Sequence, residues 1–83
     1  MKGEIKMKDF TIEMTIKNQY GALNRITSLY MKRRFEIKAM NMELCENPDF
    51  AIMKISSSGD ERVQNQALRQ LNKLYDVMNV KIV

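Results

Sequence analysis

The sequence predicts an α+β sandwich, in which four strands form one antiparallel sheet and two helices cover one of its faces. Apolar residues alternate with polar ones in four short segments, and they recur at helical spacing in two others. The segments follow the order βαββαβ in a chain of 83 residues, a length that suits one domain. Two split βαβ units with right-handed crossovers make this order a ferredoxin-like sandwich.

The first strand and the first helix are predicted from residues 10–34. Every second residue from Phe10 to Lys17 is apolar, and such alternation is typical of a strand with one covered face. A helix follows from Ala22, because apolar residues then recur at helical spacing. The inward side chains of the strand are Phe10, Ile12, Met14 and Ile16. The apolar face of the helix consists of Ala22, Leu23, Ile26, Leu29 and Tyr30, and its last turn holds Lys32, Arg33 and Arg34.

The middle of the chain predicts a hairpin of two strands. The second strand begins near Phe35, and the sequence Glu46-Asn47-Pro48-Asp49 after it is a strong turn signal. The third strand runs back antiparallel to the second. The alternating apolar residues are Met40, Met42 and Leu44 in the second strand and Ala51, Met53 and Ile55 in the third.

The last third of the chain predicts a helix and a strand. Ser58 and Glu61 match a capping box, with Ser58 as the N-cap of the second helix. The apolar stripe of this helix is Val63, Ala67, Leu68, Leu71, Leu74 and Tyr75, and the fourth strand carries Met78, Val80 and Ile82. We therefore expect a single domain over residues 10–83 and a flexible N-terminal tail over residues 1–9.

Residue types that many enzymes need are missing. The chain has no histidine, which is the usual general base near neutral pH and a common metal ligand. Its one cysteine, Cys45, is followed by Glu46, and a neighbouring carboxylate disfavours the reactive thiolate. We therefore expect a structural cysteine on a strand, no catalytic residues, no metal site and a protein that is not an enzyme by itself.

Composition also bears on the compartment. A single cysteine allows no intrachain disulfide, which suits a reducing cytoplasm. No apolar run approaches the roughly 20 residues that cross a bilayer. The polar, lysine-bearing start of the chain is unlike a signal peptide. The sequence therefore predicts a cytoplasmic protein without membrane contact.

The most site-like segment runs from Asn18 to Arg25, where the first strand gives way to the first helix. Gly21 stands at this junction, and a helix start presents free backbone N–H groups at the positive end of its dipole. Such a turn can hold a small anion, for example an amino-acid carboxylate, without a charged side chain. The alternative is that Gly21 only permits a tight turn and Asn18 only caps it.

Three segments carry a family resemblance. Residues 18–25 contain the pattern Asn-x-x-Gly-Ala-Leu-x-Arg, residues 33–37 read Arg-Arg-Phe-Glu-Ile, and residues 70–77 read Gln-Leu-Asn-Lys-Leu-Tyr-Asp-Val. With these segments the chain resembles an ACT domain. It is most similar to the regulatory (small) subunit of acetolactate synthase, also called acetohydroxyacid synthase, in its short form with one ACT domain. The resemblance covers residues 10–83.

The resemblance implies feedback regulation in branched-chain amino acid biosynthesis. Small subunits of this family form homodimers through side-by-side ACT domains and hold a branched-chain amino acid, usually valine, at the dimer interface. They bind and activate a separate catalytic subunit. Thiamine diphosphate, FAD and a magnesium ion belong to that catalytic subunit, so no cofactor is expected on this chain.

The resemblance also assigns an effector site. It implies that Asn18 contacts the effector, that the loop backbone after it holds the carboxylate, and that two residues of the second strand close the pocket. The implied effector-binding residues are Asn18, Gln19, Tyr20, Gly21, Ala22, Leu23, Glu36 and Ile37. The family has asparagine at Glu36 and glycine at Arg34. Because an ionised glutamate only accepts hydrogen bonds, Glu36 either pairs with the effector ammonium group, repels its carboxylate or faces Arg34.

Two other functions remain open. A stand-alone ACT sensor attached to another enzyme or regulator would carry the same motifs. An RNA-binding module would suit the ferredoxin-like order and the net charge of +4. Such modules stack bases on aromatic residues of the central strands, and the predicted open face has no aromatic residue. The residues expected on that face are Thr11, Glu13, Thr15, Ile52, Lys54 and Ser56.

Overall fold

The computed structural model describes residues 8–83, and its elements follow the predicted βαββαβ order. The sheet has the strand order β2-β3-β1-β4, and each neighbouring pair is antiparallel. The elements are β1 Lys8–Lys17, α1 Ala22–Lys32, β2 Ala39–Leu44, β3 Phe50–Gly59, α2 Glu61–Leu71 and β4 Val77–Ile82. The predicted fold class is therefore confirmed.

The N-terminal boundary differs from the predicted one. Lys8 and Asp9 belong to β1, where they pair with Gly59 and Ser58 of β3, so the tail prediction is wrong for these two residues. The rest of the predicted tail, residues 1–7, lies outside the described residues.

The core lies between the sheet and the two helices, and the alternation of the two central strands places it there. The predicted inward residues of β1 and β3 are all buried. Leu23 was predicted on the apolar face of α1, but it is 43% exposed, because the buried face of the helix turns away from it. The buried core residues of the helices are Ala22, Ile26 and Tyr30 in α1 and Ala67 and Leu71 in α2.

The end of α1 also differs from the prediction. The helix ends at Lys32 and Arg33 caps it, while Arg34 adopts a left-handed backbone with φ of 60°. The N–H of Phe35 donates to the carbonyl of Tyr30 at 2.9 Å, and the N–H of Arg34 donates to the carbonyl of Met31 at 3.1 Å. This pair of bonds is a Schellman motif. It turns the chain sharply, so the second strand begins at residue 39 rather than near Phe35.

The predicted start of α2 is wrong by two residues. Ser58 still belongs to β3, and the N-cap is Asp60, whose carboxylate accepts a hydrogen bond from the Val63 N–H at 3.0 Å. Pairing with β1 through Gly59 holds Ser58 in the sheet, so it cannot adopt the role of a cap. Leu74 and Tyr75 were predicted on the helix but lie in the connection after it.

The two edges of the sheet are not alike. β4 carries an irregularity where it pairs with β1, and Asn79 has a left-handed backbone with φ of 54°. β2 pairs with β3 in regular register over all six of its residues, and all six are exposed. Bulges and lysines protect edge strands from pairing with other chains. β4 has the irregularity and a lysine, Lys81, whereas β2 has neither a bulge nor a lysine.

Candidate functional site

The predicted glycine turn is present at the start of α1. Gly21 is the N-cap residue and has φ of 88°, a left-handed conformation that favours glycine. Its carbonyl accepts the first helical hydrogen bond, from the Arg25 N–H at 2.9 Å. No side chain of the described residues caps this helix end. The N–H of Ala22 donates to the Gln19 carbonyl at 3.2 Å, whereas the N–H groups of Leu23 and Asn24 have no partner among the described residues and are left for water or a ligand.

Asn18 anchors the loop to the turn between β2 and β3. Its backbone N–H donates to the Asp49 carbonyl at 2.8 Å, and its side-chain Nδ2 donates to the Pro48 carbonyl at 2.9 Å. The amide Nδ2 has two N–H donors, so one bond to Pro48 leaves the second for another acceptor. The loop is therefore fixed to the sheet while Asn18 keeps capacity for a polar ligand.

An apolar groove adjoins the turn. Tyr20 and Leu23 are exposed, and together with Gly21, Asn24 and Thr27 they line an open groove on the surface. Backbone N–H groups beside apolar side chains suit a small ligand that combines a carboxylate with an aliphatic part. The structure thus brings residues 18–23 of the predicted site together at one end of the sheet.

Glu36 and Ile37 lie at the opposite end. Glu36 accepts a hydrogen bond from the hydroxyl of Ser58, which pairs with Asp9 at the start of β1. Asn18 follows the far end of the same strand, so the Asn18 loop and the Glu36–Ser58 pair are about 27 Å apart along β1. Ile37 packs against the core. Within one chain, the structure does not bring the two halves of the predicted pocket together.

A buried ion pair beneath the loop was not anticipated from the sequence. Arg25 donates from Nε and Nη2 to Asp76 Oδ2, at 2.9 and 2.6 Å. Asp76 is fully buried, whereas the side chain of Arg25 is 36% exposed. The hydrogen bond to the Asp76 carboxylate raises the pKa of Arg25 above its ordinary value, so the guanidinium stays charged. Both residues stood in the motif segments, and a charged residue within an apolar pattern was the available signal.

The open face of the sheet carries the six residues predicted for it. The carboxylate of Glu13 forms two ion pairs, from Oε1 to Lys54 Nζ at 3.9 Å and from Oε2 to Lys81 Nζ at 3.7 Å. The hydroxyls of Thr11 and Ser56 are hydrogen-bonded to each other at 3.0 Å. The central lysine charge is thus offset by a carboxylate, and none of the six positions has a ring on which a base could stack. This face does not have the features of an RNA-binding sheet.

Within residues 8–83, no group of three or more His, Cys, Asp or Glu side chains is arranged to hold a metal ion. Neither of the described helices has the length and apolar character to span a membrane. Cys45 is a free cysteine, half-buried, and lies one residue beyond β2 rather than within a strand.

The family model described as ACT domain matches residues 18–80, which include the glycine turn, both helices, β2, β3 and most of β4. The chain belongs to the ACT domain family. This membership agrees with the fold and with the resemblance that the motif segments predicted.

Similar proteins point to one enzyme system. The chain is 35% identical over 78 residues to the probable acetolactate synthase small subunit of Methanothermobacter thermautotrophicus, covering 94% of this chain and 46% of that protein. It is 33% identical over 69 residues to the acetolactate synthase isozyme 3 small subunit of Escherichia coli, covering 83% of this chain and 42% of that protein. The chain thus spans somewhat less than half the length of these curated relatives.

A solved structure agrees in fold. The crystal structure of the acetolactate synthase small subunit from Thermotoga maritima superposes with a TM-score of 0.84 at 24% identity. The match covers 90% of this chain and 47% of that one. At this identity the likeness supports the ferredoxin-like ACT architecture.

Proposed function

We propose that this chain is a regulatory ACT domain of acetolactate synthase, which binds and activates the catalytic subunit in branched-chain amino acid biosynthesis. The observation that carries the proposal is the similarity of this chain to curated small subunits. The match to the Methanothermobacter protein covers 94% of this chain. The glycine turn with its adjoining groove supplies a place for an effector. In this proposal the protein works in the cytoplasm.

Catalysis belongs to the partner subunit in this proposal. This chain has no histidine, and its buried acidic residue, Asp76, is paired with Arg25. The catalytic subunit holds thiamine diphosphate, FAD and the magnesium ion. The contribution of this chain is therefore conformational: it binds the catalytic subunit and changes its activity when the effector binds.

We infer a homodimer because the two halves of the proposed effector site lie apart within one chain. β2 starts near Glu36 and ends near the turn to which Asn18 is anchored. If the exposed edge of β2 pairs antiparallel with the same edge of a second copy, the start of one strand meets the end of the other. Glu36 of one protomer then approaches the Asn18 loop of its partner. Such a two-fold contact creates two equivalent sites.

The surface beside this edge is apolar. Met40, Met42 and Leu44 lie on the helix side of β2, and they are 43, 42 and 59% exposed. Leu23 and Met31 of α1 are also exposed. A side-by-side dimer extends the sheet to eight strands and covers the methionines and Leu44 with their counterparts, which contributes apolar burial that a small domain otherwise lacks.

The proposed effector is a branched-chain amino acid, with valine as the first choice. Its carboxylate accepts hydrogen bonds from the N–H groups of the Gly21 turn, and its aliphatic side chain lies in the groove beside Leu23. Its ammonium group meets Glu36 of the partner protomer. Glu36 is exposed and accepts only one described hydrogen bond, from Ser58, which leaves carboxylate lone pairs for an ammonium donor.

Reconstitution with the cognate catalytic subunit tests the function. We expect the two proteins to co-elute and the rate of acetolactate formation to rise when this chain is added. Valine titration, by activity and by calorimetry, then tests the effector. Absence of both binding and activation would contradict the proposal. Amino-acid binding without any effect on the synthase would identify a stand-alone ACT sensor for another enzyme instead.

A further inference from the structure

We propose that Asp76 is a positioning residue for the effector loop and that it acts through Arg25. This inference rests on the proposed function, because it concerns the loop that is proposed to hold the effector carboxylate. Asp76 lies in the connection between α2 and β4, 51 residues beyond Arg25, and its side chain is fully buried. It does not line the groove, so any effect on the ligand passes through its neighbours.

The guanidinium of Arg25 fills the space beneath the glycine turn. It donates twice to Asp76 Oδ2, and its Cζ lies 5.0 Å from the centre of the Tyr75 ring. A Cβ atom added to Gly21 would lie 3.1 Å from Arg25 Nη1. The guanidinium is thus held by a carboxylate and an aromatic ring on the side of the α2–β4 connection, and it supports the main chain of the turn on the other.

Asp76 also contacts the other end of the loop. Its backbone carbonyl accepts a hydrogen bond from the Lys17 N–H at 2.9 Å, and Lys17 directly precedes Asn18. One residue therefore secures the end of β1 through its main chain and the start of α1 through its side chain. The direction of the N–H groups between these two points depends on both contacts.

The charge of Asp76 indicates that this residue positions the loop and does not merely fill space in the core. An ion pair with a buried member contributes little net stability compared with apolar residues of similar volume, because the fully buried Asp76 carboxylate loses its water while Arg25 stays partly exposed. Asp76 keeps Oδ1 without a hydrogen-bond partner among the described residues, which adds to that cost. The benefit that offsets it is geometric. Asp76 holds the Arg25 charge beneath the loop, so the backbone N–H groups remain the anion site.

The experiment compares Asp76→Asn with the wild-type full chain, using L-valine titration by calorimetry and the backbone amide NMR signals of the loop. Asparagine has nearly the same shape but no charge. We expect the Kd for valine to rise on the order of tenfold. The amide signals of Gly21 and Ala22 should move. Arg25→Ala should have the same effects, and the double variant should add little to either single change.

Two controls separate positioning from stability. Glu13→Gln removes a surface carboxylate between two lysines on the open face. Ile55→Val removes one core methyl group from β3, away from the loop. Both should leave the valine Kd and the Gly21 amide signal unchanged, although Ile55→Val lowers the stability of the chain.

The outcomes distinguish the two proposals. If wild-type protein binds no branched-chain amino acid, the proposed effector is wrong, while the Gly21 signal in Asp76→Asn still tests the positioning role. If Asp76→Asn only destabilises the chain, as Ile55→Val does, and leaves the Kd and the Gly21 signal in place, the positioning role is overturned. Should Asp76→Asn fail to fold, Arg25→Gln provides the same test from the other side of the pair.

Discussion

The rings of Tyr30 and Phe35 pack edge to face, with their centroids 5.7 Å apart and their planes at 82°. Tyr30 is the third residue from the end of α1, and Phe35 directly follows the turn residue Arg34. An apolar contact between these two positions commonly accompanies a Schellman motif. Arg34 makes the turn by adopting a left-handed backbone. This position is the one at which the family resemblance implied glycine, and the geometry explains that preference.

Arg34→Gly should stabilise the protein. Glycine adopts positive φ without the steric cost that an arginine Cβ brings, so we expect the free energy of unfolding to rise by about 1 kcal/mol. Urea unfolding at fixed protein concentration measures the change. Arg33→Gly is the matched control, because Arg33 has a right-handed backbone with φ of −90°. There glycine should lower the stability by roughly 0.5 kcal/mol, and equal effects at the two positions would contradict the explanation.

The parts of the fold that the sequence predicted correctly depend on local periodicity. Alternation in β1 and β3 identified the buried face, because every second residue of these strands packs between the sheet and the helices. The errors lie where tertiary contacts decide. Ser58 has the chemistry of a cap, but sheet pairing holds it in β3 and leaves Asp60 to cap α2. The residues after Arg34 alternate like a strand, but the turn delays pairing until Ala39.

Tyr30 should make the protein sensitive to alkaline pH. Burial raises the pKa of its phenol from 10.0 to about 12, and the nearby Ser57 hydroxyl, which faces it without a hydrogen bond of standard geometry, opposes the shift. Because the folded pKa lies above the unfolded one, this contribution to stability is full below pH 10.0 and is lost as the pH rises to about 12. The loss amounts to roughly 2–3 kcal/mol.

Urea unfolding at about pH 8, below that range, and at about pH 11.5, where the unfolded phenol is ionised and the folded one is still mostly protonated, measures most of the effect. Tyr30→Phe has no phenol to ionise, so its stability should fall less between the two pH values than that of the wild type. Tyr20→Phe is the control, since Tyr20 is fully exposed and its removal should leave the alkaline loss intact. If Tyr30→Phe keeps the full loss, lysines or other groups cause it.

The sequence predicted only the local part of the candidate site, because the rest depends on tertiary contacts. The Asn-x-x-Gly motif marks a local turn, and local geometry places residues 18–23 together. The position of Glu36 depends on the length of α1 and on the direction of β2, which put it at the far end of the sheet. The pairing of Arg25 with Asp76 spans 51 residues and leaves no periodic signal in the sequence.

Gly21→Val should abolish effector binding. A β-branched side chain at residue 21 disfavours the φ of 88° that this turn requires. Its Cβ would also lie 3.1 Å from Arg25 Nη1, and the ion pair with Asp76 holds that guanidinium in place. We expect the stability to fall by about 2 kcal/mol and the turn to open. Valine calorimetry and urea unfolding measure the two effects separately.

Ile12→Ala provides the control for that loss of stability. Ile12 is fully buried in the middle of β1, away from both the Gly21 turn and Glu36, and its truncation leaves a cavity that should cost roughly 2–3 kcal/mol. If Ile12→Ala loses valine binding to the same extent as Gly21→Val, general destabilisation explains both variants, and the turn has no special role.

Met42→Lys should separate the proposed dimer. Met42 lies in the middle of β2, on the apolar side of the exposed edge, and a lysine at this position would place two like charges near the two-fold axis. We expect sedimentation at micromolar concentration to change from dimer to monomer, and valine binding to weaken in parallel because each site needs both protomers. Asn65→Lys adds the same charge to the exposed surface of α2 and should leave the dimer intact. A dimer that survives Met42→Lys would show that another surface, such as the β4 edge, joins the two chains.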